Sequence, residues 1–103
     1  MTVTVEDSPL AQLVAGKAGE LRRIVKDGGG ANLRLFGSAA RGHDNQDSDI
    51  DLLFTIDRPM GFMEIAAMQL AMTDALGVPV DPMADTCLSR FVRDRVLAEA
   101  VPV

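Results

Sequence analysis

Phe36-Gly37-Ser38-Ala39-Ala40-Arg41-Gly42, followed by Ser48-Asp49-Ile50-Asp51-Leu52-Leu53-Phe54-Thr55-Ile56, is the stretch whose reading decides the fold. Asn32 to Phe36 reads as a short strand with Leu33 and Leu35 on one side, and Gly37 breaks it. His43 to Ser48 is too polar for anything but an exposed loop, and Asp49 to Ile56 is a second strand, apolar after its first three residues. Side chains on a strand repeat every second residue, so Asp49 and Asp51 share a face while Ile50 points the other way. Their Cα atoms then stand about 6.5–7 Å apart. Two converging carboxylates suit a hard divalent cation such as Mg²⁺, which favours oxygen ligands. A bare Asp-x-Asp is equally compatible with solvated acids at a strand end.

The glycine–serine exit from the first strand adds the second half of a site. Small residues there let backbone N–H groups and the Ser38 hydroxyl approach phosphate oxygens, although alone the motif also fits an ordinary turn. Arg41 adds positive charge near such phosphates or serves a surface salt bridge. Between Arg41 and Arg58 there is no Lys or Arg, while Asp44, Asp47, Asp49, Asp51 and Asp57 all fall there. That much like charge in one segment calls for a cation or for solvent screening. Asp44 and Asp47 read as plain loop residues, and His43, the sole histidine, as solvated. A phosphate cradle beside a metal site is what nucleotide chemistry requires.

Working outward, 103 residues make one domain, 1–103, with no room for a separate substrate domain. Hydrophobic residues at 48% and charged residues at 24% place the chain among globular proteins. Without Trp or Tyr, a base-stacking platform is not expected. A net charge of −5 argues against direct nucleic-acid binding, which needs a basic face. No apolar run approaches the ~20 residues of a membrane span. The single cysteine, Cys87, cannot form an internal disulfide and reads as a small packing residue, so a cytoplasmic location is expected.

The first helix is expected to run from Ser8 as N-cap and Pro9 to the Gly28-Gly29-Gly30 stop, burying Leu10, Leu13, Val14, Leu21, Ile24 and Val25. Asp57-Arg58-Pro59 ends the second strand, and Phe62 to Leu76 forms a helix closed by Gly77. Met60, Met63, Met68 and Met72, with Phe62, give that helix an adaptable apolar surface, most of it core. Val78 to Pro82 is a brief extended segment at a sheet edge, because Pro79 and Pro82 donate no ladder hydrogen bond. A last helix is expected from an N-cap at Asp85 or Thr86, with Leu88, Phe91, Val92 and Val96 on its buried stripe. The order helix, strand, strand, helix, strand, helix is that of a small α+β (α/β) sandwich.

The combined run Gly37-Ser38-Ala39-Ala40-Arg41-Gly42 and Ser48-Asp49-Ile50-Asp51-Leu52 resembles the signature of the polymerase-β-like nucleotidyltransferase superfamily. The shortness of the chain and its ending, Arg95 to Val103, are similar to the minimal nucleotidyltransferases (MNT proteins). The resemblance implies a mixed sheet backed by helices, and a third carboxylate on a neighbouring strand, for which Asp81 is the candidate. It implies transfer of a nucleoside monophosphate from a triphosphate, ATP in this family, to a hydroxyl. Asp49, Asp51 and Asp81 would be the catalytic and metal-binding acids for two Mg²⁺ ions, and Gly37, Ser38 and Arg41 the nucleotide-binding residues. In that family the partner is a HEPN-domain RNase toxin, which the MNT antitoxin neutralises by adenylylating a tyrosine. A binding-only antitoxin and a small-molecule nucleotidyltransferase are the alternatives.

Overall fold

Helical spacing of Leu10, Val14, Leu21 and Val25 yields two helices rather than one. In the computed structural model, which describes residues 9–37 and 50–103, α1 spans Pro9–Gly16 and α2 spans Ala18–Gly28. The break falls at Lys17, whose backbone (φ −116°, ψ 16°) leaves the helical region. Glycines at 16 and 19 flank it, and glycine weakens a helix interior by roughly 0.5–1 kcal/mol relative to Ala. The apolar stripe survives the break, with Leu10, Ala11, Val14, Leu21 and Val25 all in the core.

Strand β1 (Gly30–Phe36) begins two residues earlier than the apolar alternation indicates, and β2 spans Ile50–Ile56. They pair antiparallel, with Leu35 opposite Leu52 and Phe36 opposite Asp51. The register is irregular between Ala31 and Arg34, where Asn32 adopts a positive φ of 55°. Arg58 follows β2 and turns back onto α2: its Nη2 donates to the Asp27 carbonyl at 2.9 Å and to the Lys26 carbonyl at 3.5 Å. A cation on the last carbonyls of a helix satisfies groups that the helix itself leaves unbonded.

Helix α3 (Phe62–Leu76) has the bounds its sequence indicates. The Gly61 N–H donates to the Glu64 carboxylate at 2.8 Å at its start, and Gly77 closes it with an N–H bond to the Thr73 carbonyl. Met68, Met72 and Leu76 are buried, while Phe62, Met63 and Leu70 are exposed. The methionine-rich surface is therefore divided between core and solvent.

Strand β3 (Val80–Ala84) runs past Pro82, where the sequence suggested a stop. It lies at the sheet edge, in the strand order β3-β2-β1-β4, and pairs parallel with β2. Val80 donates its N–H to Thr73 Oγ1 at 3.3 Å and accepts from Gln69 Nε2 at 3.2 Å, so its polar groups face α3. Backbone groups alternate sides along a strand, so Pro82, two residues on, also turns its missing N–H away from β2. That is why a proline is accommodated without ending the ladder.

The last helix departs from expectation. Asp85–Cys87 form a 3₁₀ turn, and α4 spans Arg90–Glu99 with Ser89 at its N-cap position. No residue of α4 is buried, and Phe91 is 91% exposed. Leu88, Val92 and Val96 are half-buried, so the expected buried stripe does not form. Cys87 is exposed rather than packed. A two-residue strand, β4 (Val101–Pro102), missed in the sequence, pairs antiparallel with β1.

Four helices and a mixed four-stranded sheet thus make up the described residues. Ile50, Leu52, Phe54, Leu33, Leu35, Val80 and Ala84 meet α1, α2 and α3 in one core. The alternate residues of the same strands, Asp51, Leu53, Thr55, Asp81 and Met83, turn to the opposite face. Among the described residues no helix is long and apolar enough to cross a membrane.

Candidate active site

On the sheet face opposite α1, α2 and α3, the parallel register sets Asp51 of β2 directly beside Asp81 of β3. Neighbouring strands are about 4.8 Å apart, so the two carboxylates start from backbone positions close enough to share one cation. Asp81 is exposed and Asp51 half-buried, which leaves the pair open to solvent on one side. The spacing of thirty residues between these acids carries no local signal. Their meeting depends on α3 returning the chain to the edge of β2.

Gly37 closes the site from the β1 side. Its φ is 76°, a backbone region that L side chains rarely adopt. A Cβ built there would collide with the Asp51 carboxylate and also approach the Asp51 Cγ to 3.2 Å. The glycine at the strand exit therefore has two physical reasons, a left-handed turn and the close approach of the Asp51 side chain. Phe36, one residue earlier, is paired with Asp51 in the ladder, and this fixes the exit of β1 against the acid.

Of the expected site residues, Gly37, Asp51 and Asp81 come together. Ser38, Arg41 and Asp49 lie outside the described residues. Among the described residues no group of three His, Cys, Asp or Glu side chains gathers for a metal. The two acids supply the anionic oxygens a divalent cation needs, and Gly37, lacking a Cβ, lets the Asp51 carboxylate pack against the strand exit.

Sequence reasoning missed a second polar group on this face. Arg34, Thr55 and Asp85 form a hydrogen-bonded cluster joining β1, β2 and the end of β3. Thr55 Oγ1 donates to Asp85 Oδ2 at 2.8 Å, and Arg34 Nη2 donates to Asp85 Oδ2 at 3.2 Å and to Thr55 Oγ1 at 3.3 Å. Asp85 serves there as an ion-pair partner instead of a helix cap. The signal available in the sequence is the period of two, which places Asp81, Met83 and Asp85 on one side.

Comparison with known proteins gives the family. The nucleotidyltransferase domain family matches residues 18–100. A protein of Methanocaldococcus jannaschii, named "Putative protein adenylyltransferase MJ0435", is 30% identical over 69 residues, covering 67% of this chain and 74% of that protein. The solved "Structure of putative minimal nucleotidyltransferase" superposes with a TM-score of 0.81 at 30% identity, covering 98% of this chain and 97% of the other. A toxin–antitoxin structure with AMP-PNP has a TM-score of 0.70 at 19% identity, covers 82% of this chain and 69% of the other, and shares the fold. The strand order and the match over most of the chain agree: it belongs to the nucleotidyltransferase domain family and is a nucleotidyltransferase of polymerase-β-like α+β fold.

Proposed function

We propose that this enzyme transfers AMP from ATP to a hydroxyl of a protein partner, a tyrosine of a HEPN-type RNase toxin, and so acts as its antitoxin. The observation that carries the reading is the register of Asp51 with Asp81, with the Asp51 carboxylate packed against Gly37. The adenylyltransferase name of the M. jannaschii relative and the toxin–antitoxin neighbours support the choice of reaction and partner.

Asp49, Asp51 and Asp81 would hold two Mg²⁺ ions, whose charge supports in-line displacement at the α-phosphate. Gly37 and Ser38 would hold the β- and γ-phosphates, and Arg41 would add positive charge near them. Asp51, half-buried and packed under Gly37, is the fixed acid. Asp81, the exposed one, would sit by the acceptor hydroxyl, as ligand of the second metal or as the base that takes its proton. The acceptor oxygen forms a bond to the α-phosphorus as the α–β bridging bond breaks, and pyrophosphate leaves. A misplaced Asp81 would favour a binding-only antitoxin, and the level position of Asp81 beside Asp51 supports the transferase reading instead.

Intact-mass analysis of a HEPN partner incubated with this protein, ATP and Mg²⁺ tests the proposal. A gain of one AMP unit on the partner, abolished by chelating the metal, is expected. A stable complex with no mass change would replace it with the binding-only reading.

A further inference from the structure

The hydrophobic pattern of β3 does not by itself fix its register. Val80, Pro82 and Ala84 are buried and alternate with Asp81 and Met83. A slip of one residue along β2 would turn the acids into the core and is excluded. A slip of two residues preserves every face. It would set Pro79 or Met83 level with Asp51 and carry Asp81 about 6.6 Å along the sheet.

The Asp85 cluster resists such a slip. Thr55 lies four residues beyond Asp51 on β2, and Asp85 lies four beyond Asp81 on the β3 side, so the polar link reproduces the spacing of the site acids. A two-residue slip would carry Asp85 well outside hydrogen-bond range of Thr55. Arg34 extends the same link to β1, and both ionic side chains are only 15% exposed. At the other end of β3, Gln69 and Thr73 hold Val80, but they tie it to α3 rather than to β2.

We propose that Asp85 is a positioning residue that, through Thr55 and Arg34, fixes the register of β3 on β2 and thereby keeps Asp81 level with Asp51. This inference rests on the reading of Asp81 as a site acid. The link also explains why a short edge strand carrying a proline holds a defined register.

The test uses the full chain with Asp85→Ala, Asp85→Asn, Thr55→Val and Asp81→Asn. Mn²⁺ affinity is measured by calorimetry with a non-hydrolysable ATP analogue, and the β2–β3 register is read from interstrand NOEs. Asp85→Ala is expected to weaken Mn²⁺ binding about tenfold, as loss of a supporting residue commonly does, and to lose the NOEs that set Asp51 beside Asp81. Asp85→Asn keeps an acceptor oxygen for Thr55 and Arg34 and should stay closer to wild type than to Asp85→Ala. Thr55→Val should shift both readouts in the direction of Asp85→Ala. Should Asp85→Ala fail to fold, Thr55→Val decides.

Unchanged Mn²⁺ affinity and NOEs in Asp85→Ala, with binding weakened in Asp81→Asn, would overturn the inference. If Asp81→Asn itself binds Mn²⁺ as wild type does, the reading of Asp81 is what fails, and the NOEs of Asp85→Ala still decide the register role.

Discussion

Replacing Gly37 with alanine puts a methyl group into space held by the Asp51 carboxylate. Two costs follow, and a control separates them. The first is conformational: an L residue at φ 76° is disfavoured by about 1–2 kcal/mol. For a domain of this size each kcal/mol lowers the melting temperature by roughly 4–8 °C. The second is local: the carboxylate must retreat by about 1 Å to restore ordinary contact, and a misplacement of that size can lower a rate about 100-fold. Gly77, which closes α3, has nearly the same φ, 73°, with nothing within 4 Å of an added Cβ. Gly77→Ala therefore carries the backbone cost without the collision. Thermal melts of both variants, paired with intact-mass kinetics of AMP transfer, should show similar losses of stability. Transfer should fall about 100-fold only in Gly37→Ala. Equal transfer rates in the two variants would refute the claim that Gly37 acts by making room for Asp51.

Further outcomes follow from packing. Phe54→Ala removes a side chain with no exposed surface at the centre of the core and should cost about 3–5 kcal/mol, a large part of a small domain's stability, by urea denaturation. Phe91→Ser, on the exposed face of α4, should change stability by no more than about 0.5 kcal/mol in the same assay. Arg58→Gln should cost about 1 kcal/mol by loosening the end of α2, seen as faster amide exchange in the last turn of that helix.

The parts of this fold legible in the sequence are those governed by local chemistry. Helix α3 is bracketed by Gly61 and Gly77, so its limits follow from stop signals alone. The apolar run of β2 and the Gly37 break of β1 are equally local. What could not be read depends on distant partners. Pro82 looked like the end of a strand because its orientation toward the outer edge is set by α3, through Gln69 and Thr73. Asp85 looked like a helix cap because aspartate has that local preference, while its ion pair with Arg34 spans 51 residues. Leu88, Phe91, Val92 and Val96 have the period of a buried stripe, yet the sheet and α4 leave Phe91 in solvent. The candidate site divides in the same way. Gly37 and Asp51 were visible as motif residues, whereas the partnership of Asp81 with Asp51 required the parallel crossover.

The central claim is that Asp51 and Asp81 act as one unit in AMP transfer. A double-mutant cycle tests it most directly: transfer to the toxin partner is timed for wild type, Asp51→Asn, Asp81→Asn and the combined variant. Residues that serve one site are strongly non-additive. The account predicts that each single substitution lowers the rate at least about 100-fold and that the combined variant is no slower than the slower single. Losses that multiply, or an Asp81→Asn variant with wild-type rate, would contradict it.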